Sequence, residues 1–155
     1  MRNAGWVLGT AGAVFILDIA TKALALSSLR PFMPVVVVPG FFSLSLVFDC
    51  GAAFGMFPGA AAVFTVLAAI TVVAILVGAA RLRAASIQLR LALGLICGGA
   101  LGNLLDRLRF GHVVDFLDFY SGRWHWPAFN VADSSLCLGA GLLILHALRK
   151  QTSSA

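Results

Sequence analysis

The stretch AAAVFTVLAAITVVAILVGAA, residues 60–80, runs for 21 residues without a charged side chain. An α-helix needs about 20 apolar residues to cross the hydrocarbon core of a bilayer. Three more uncharged runs accompany it: residues 3–17 before Asp18, 91–105 between Arg90 and Asp106, and 134–148 between Asp133 and Arg149. Hydrophobic residues make up 61% of the chain and charged ones 11%, against roughly 45–50% and 25% in soluble domains. These runs predict an all-α integral membrane protein. Its spans lie over about 6–26, 60–80, 88–106 and 130–148, within one domain covering residues 1–155.

Charge placement orients the spans. Arg2, then Arg81, Arg83 and Arg90, then Arg149 and Lys150 mark segments that share the cytoplasmic side, with both termini inside. Glutamate is absent, and the aspartates at 18, 49, 106, 115, 118 and 133 all fall in the outer half of that arrangement. The net charge of +5 forms no basic stripe, which argues against a nucleic-acid partner. A cleaved signal peptide is disfavoured for the first span, because Asp18 and Lys22 interrupt the apolar run that such a signal needs. Cys97 and Cys137 lie within spans and Cys50 in an outer loop, without metal-ligand or disulfide spacing. The first two read as small buried apolar residues. The histidines also lack metal spacing, so no metal and no cofactor is expected.

Two outer segments join the spans, 30–57 and 107–128. In the first, Pro31, Pro34, Pro39 and Gly40 break any helix, Val35–Val38 is β-branched, and Phe42–Leu46 alternates with period two. This predicts short strands lying at the membrane interface or over the protein's own helices. The second holds Phe119, Tyr120, Trp124 and Trp126, which suit an interfacial aromatic belt. Gly94, Gly98, Gly102 and Asp106 follow one another at i, i+4, a small-residue stripe for close helix approach that ends on an acid.

Ionisable groups at the edge of a span are functional candidates. Asp18 and Lys22 are i, i+4 on one helical face, either a charge-neutralising pair or part of a site. Asp106 has Arg107 and Arg109 within reach as ion-pair partners, and Asp118 reads as solvated. Asn130 can cap the fourth helix with Asp133 at its third position. Asp115 lies between Val113-Val114 and Phe116-Leu117, where desolvation raises a carboxyl pKa. If folding brings Asp115 and Asp133 together, one neutral and one charged carboxyl form an acid–base pair able to activate water. Either acid can hold the proton on this reading. A small transporter or proton relay is the alternative, but a relay would spread ionisable groups through the membrane thickness.

The motifs DIATK (18–22), CGAAF (50–54), GGALGNLLDR (98–107), VVDF (113–116) and FNVAD (129–133) resemble, in order and spacing, those of bacterial lipoprotein signal peptidases, or signal peptidase II. The resemblance covers residues from about 5 to 148. It implies a four-helix inner-membrane aspartic endopeptidase, working as a monomer with its site at the periplasmic face. Its substrates would be diacylglyceryl-modified prolipoproteins, cut before the lipidated cysteine amid membrane phospholipid. By motif, Asp115 and Asp133 would be catalytic. Asn103, Asp106, Arg107, Asn130 and Ala132 would line or brace the site, with Asp49 and Gly51 beside it and Asp18 and Lys22 supporting it. Segment 30–57 would be a periplasmic β-cradle, and segment 107–128 would carry a short periplasmic helix. One position departs from the family: Asp49 stands where asparagine is usual. A third acid there is expected to raise a carboxyl pKa or draw a cation, and to weaken activity near neutral pH.

Overall fold

The computed structural model describes residues 2–51, 60–79 and 86–152. Four long helices form: α1 (Arg2–Ser28), α2 (Ala60–Ala79), α3 (Ile87–Phe110) and α4 (Val131–Thr152). All four are long and apolar enough to cross a bilayer. Ala52, Ala53 and Phe54 of CGAAF, the rest of the first outer segment to 57, and Arg81 and Arg83 lie outside the described residues.

Small residues let the helices meet. α3 is the central helix, packed between α1 and α4, with α2 against it. A Cβ on Gly94 would come within 2.9 Å of the Val7 carbonyl, and one on Gly98 within 2.6 Å of the Ala11 carbonyl. The predicted stripe therefore faces α1. The opposite side uses Gly99 against Ala132 and Ser135, and Gly139 against Ala92. Packing of this kind suits a lipid environment, where apolar surface alone gives helices no preference for one another.

α3 begins at Ser86, whose hydroxyl accepts from the Leu89 amide at 3.2 Å. It runs four residues beyond the predicted span and stops at Gly111, in the left-handed region at φ 75°, whose N–H bonds the Arg107 carbonyl. Segment 107–128 departs from expectation: among the described residues it holds no separate helix after α3. It forms β3 (Val113–Ser121) and β4 (Trp124–His125) instead. β-Branched and aromatic residues over 113–120 favour a strand, and a neighbour is available to pair with it.

That neighbour is β2 (Phe42–Asp49), preceded by β1 (Val35–Val38). The four strands form one antiparallel sheet in chain order. In its register Val47 faces Asp115 and Asp49 faces Val113. Leu46, Val114 and Phe116 pack with Ala25 and Leu29, seating the inner strands on the end of α1. β1 is different: all four of its valines are exposed, so it lies clear of the helices rather than over them. The exposed indoles of Trp124 and Trp126 lie at the far edge of the same sheet. Cys97 is buried as expected, whereas Cys137 is exposed on the outer side of α4.

Candidate active site

The polar residues meet where the C-terminal ends of α1 and α3 and the N-terminal end of α4 reach the sheet. The i, i+4 pair on α1 supplies the first contact: Lys22 Nζ lies 2.8 Å from Asp18 Oδ2. The same ammonium is 2.9 Å from Asp106 Oδ2 and donates to Asn103 Oδ1 at 2.9 Å. Two carboxylates and one amide oxygen thus lie within 2.9 Å of the ammonium, which lets a charge remain with only 3% of its residue exposed. Asp106 therefore pairs with a lysine 84 positions away in sequence, not with Arg107 or Arg109 as expected. An arginine adjacent in sequence is turned about 100° round the helix, off the face that Asp106 presents. Arg107 stacks its guanidinium over the Phe64 ring of α2, 5.7 Å from the centroid, apart from this network.

Both carboxylates paired with Lys22 also hold a backbone. Asp18 Oδ1 accepts from the Ala132 N–H at 2.9 Å, and Asp106 Oδ2 accepts from the Val114 N–H at 3.1 Å. Gly102 makes room for this, since a Cβ there would overlap Asp18 Oδ2.

α4 starts with the reciprocal cap expected from FNVAD. Asn130 Oδ1 accepts from the Asp133 N–H at 3.0 Å, and Asp133 Oδ2 accepts from the Asn130 N–H at 3.1 Å. Asp133 Oδ1 accepts from Asn103 Nδ2 at 2.7 Å. Meanwhile Asn130 Nδ2 lies 2.7 Å from Asp115 Oδ1, 3.1 Å from Asn103 Oδ1 and 3.3 Å from the Val114 carbonyl. Asn130 is fully buried and touches both candidate acids. It reaches Asp115 because residue 129 is tied to β3, with the Phe116 and Leu117 amides donating to the Phe129 carbonyl at 3.1 and 2.9 Å.

The two acids occupy contrasting surroundings. Asp133 is partly exposed and accepts only from N–H donors, as an ionised carboxylate does. Asp115 is buried on β3, and burial, followed by the nearby Asp133 charge, pushes its carboxyl up to about 7. The Asn130 hydrogen bond opposes that rise, Asp49 adds to it, and Lys22 opposes it. The folded protein therefore keeps this proton at pH values where the unfolded chain has released it. Stability is lost as pH climbs from 3.8 to about 7.

Asp49 caps its own turn by accepting from the Gly51 N–H at 3.0 Å, so it draws no cation among the described residues. Gly51 sits at φ 82°, and a Cβ there would meet the Ala61 backbone at 2.9 Å, so this glycine lets α2 approach the sheet. Asp49 raises the Asp115 carboxyl, the pKa effect expected from the sequence. Asp49→Asn is expected to lower the Asp115 pKa. In a pH profile of kcat, the alkaline limb should move to lower pH by a few tenths of a unit to about one unit. An unmoved limb would separate Asp49 from the dyad.

One acid was misjudged from sequence. Asp118 is buried: Ser43 Oγ donates to its Oδ2 at 3.0 Å, and His125 Nδ1 lies 2.9 Å from its Oδ1. The alternation of β3 gives the missed signal, since residues 114, 116 and 118 share a face. His125 stacks on Tyr120, whose hydroxyl accepts from the Gly40 N–H at 3.1 Å, so this group fastens β4 and the β1–β2 turn to the sheet.

Comparison with known proteins agrees with this arrangement. A family model described as signal peptidase (SPase) II matches residues 10–149. A lipoprotein signal peptidase of Syntrophus aciditrophicus is 40% identical over 147 residues, 92% of this chain and 91% of that protein. One from Pseudomonas aeruginosa is 39% identical, over 90% of this chain and 86% of the relative. A solved bacterial membrane enzyme, determined by the in meso method at 2.3 Å resolution, superposes with a TM-score of 0.83 at 30% identity. It covers 97% of this chain and 92% of that one. A second such structure gives 0.80 at 31% identity, over 93% of each chain. With matched family, four membrane-spanning helices and polar residues gathered at one end, the chain belongs to the signal peptidase II family of membrane proteases.

Proposed function

We propose that this chain is an aspartic endopeptidase of the bacterial inner membrane, cutting diacylglyceryl-modified prolipoproteins just before the lipidated cysteine. It works as a monomer among phospholipids, with both termini cytoplasmic and its site at the periplasmic face. The observation that carries this reading is Asn130, which bonds Asp115 through its side chain and Asp133 through its backbone. The clustering of the acids at one end, with no ionisable group in α2, weighs against a proton relay.

In this mechanism ionised Asp133 takes a proton as the oxygen of water bonds to the scissile carbonyl carbon. Asp115, still protonated near neutrality, gives its proton to the carbonyl oxygen. When the tetrahedral intermediate collapses, the carbon–nitrogen bond breaks and the proton on Asp133 goes to the leaving nitrogen. A hydroxyl of the intermediate returns its proton to Asp115, so one water is consumed and the dyad is restored. Lys22, Asp18, Asp106 and Asn103 brace the pair, and Ala132 contributes its backbone N–H to that brace.

Purified protein should be incubated with a precursor carrying the diacylglyceryl group and with the same precursor unmodified. Cleavage of the lipidated form should exceed that of the bare form by about a hundredfold or more, since removing recognised apolar chains removes binding energy spent in the transition state. Equal cleavage of both would reject the substrate assignment.

A further inference from the structure

The contacts of Lys22 form a pattern beyond simple neutralisation of Asp18. Its two carboxylate partners each end on a backbone amide, and each amide immediately precedes a dyad residue. Asp18 holds Ala132 N, next to Asp133, and Asp106 holds Val114 N, next to Asp115. Its third partner is the Asn103 amide, whose other end donates to Asp133 at 2.7 Å. An asparagine amide can be turned either way, but two donors, Lys22 Nζ at 2.9 Å and Asn130 Nδ2 at 3.1 Å, both require oxygen on their side. That leaves the NH₂ group facing Asp133.

We propose that Lys22 is a positioning residue for hydrolysis: one buried ammonium holds both dyad-bearing backbones and fixes the Asn103 amide so that it donates to Asp133. The inference rests on the two-aspartate reading of the site. It makes α1, which carries neither catalytic acid, the element that registers β3 against α4. The groups facing Asp115 are Asp133 and Asn130 from α4 and its start, Asp49 from β2, and Lys22 from α1. Of the charged ones, only Lys22 favours the ionised form of Asp115. Its loss therefore has a signature that a purely structural residue lacks.

The test uses the full-length protein in lipid nanodiscs with a diacylglyceryl-modified precursor. Lys22→Gln is combined with Asp106→Asn, so that one positive and one negative charge leave together and no new net charge is buried. Per folded enzyme, kcat is expected to fall about a hundredfold, KM to change by less than about threefold, and the alkaline limb of kcat to move to higher pH. Wild-type turnover, or turnover lost without movement of the limb, would overturn the proposal. Should this variant not fold, Asn103→Ser decides instead. It leaves Lys22 with both carboxylates and removes the amide, and an unchanged kcat there would overturn the proposal equally. Asp115→Asn and Asp133→Asn run alongside keep the two readings apart. Active dyad variants would remove the catalytic assignment itself, whereas inactive ones beside a wild-type-like Lys22 variant would remove this inference alone.

Discussion

Asp115→Asn and Asp133→Asn are each expected to reduce cleavage of a lipidated precursor by about a thousandfold or more, with the protein still folded. The two losses have different origins. An amide at 115 can still donate a hydrogen bond to a carbonyl but has no proton to transfer. An amide at 133 can take no proton from water, and it also places NH₂ or carbonyl against Asn103 Nδ2 and the Asn130 N–H, which now both donate to a carboxylate. Because the residues act as a unit, the double variant should be little worse than either single one. Folding should survive because both changes are nearly isosteric. Asp115→Asn also removes the carboxylate that burial and Asp133 disfavour, so relative to wild type this variant should gain stability as pH rises from 3.8 to about 7, above which wild type bears the full ionisation penalty. The measurements are single-turnover cleavage and thermal unfolding across pH. Retained turnover in either variant would remove that residue from the dyad.

Gly102→Ala is also expected to impair turnover, although the change adds a single methyl group. The new Cβ would overlap Asp18 Oδ2 and lie 3.4 Å from Ala132 Cβ. Asp18 has little freedom to retreat, being held by Lys22 at 2.8 Å and by the Ala132 N–H at 2.9 Å. Overpacking of this kind costs about 1–3 kcal/mol, and here the displaced atom belongs to the brace beside Asp133. Turnover per folded enzyme should fall by about tenfold or more, because small misplacements of catalytic groups are costly. Gly94→Ala is the matched comparison. Its Cβ would press on Thr10 and the Val7 carbonyl, far from the acids along the same helix. It should lower Tm by a similar amount while leaving turnover per folded enzyme unchanged. If both variants behaved alike in turnover, Gly102 would be a packing residue only.

These expectations depend on features that differ in how visible they are along the chain. The spans needed no tertiary information, because crossing a bilayer demands a local run of apolar residues of a set length. The strands of the first outer segment were visible for a similar reason, since proline, glycine and β-branched valine act within a few residues of themselves. Segment 107–128 was not. Val113–Tyr120 is compatible with several conformations taken alone, and its strand exists because β2, more than sixty residues earlier, offers an edge. Reading a helix there also concealed Asp118, whose burial follows from strand alternation once β3 is known.

The site divides in the same way. Asp115 among apolar neighbours, Asp133 in the first turn after Asn130, and Asp18 four residues before Lys22 are local patterns, and the motifs place them in order. From the sequence alone came the membrane class, the four spans, the identity of the acids and the family resemblance, because each depends on residue type and short spacing. Only the tertiary structure decided that Lys22 serves Asp106 as well as Asp18, that Arg107 turns to Phe64, that Asp49 influences Asp115, and that Asn130 joins the two acids. Hydrogen bonds and ion pairs act over about 3 Å, and residues 22, 103, 115 and 133 come within that range only after helices and sheet have packed.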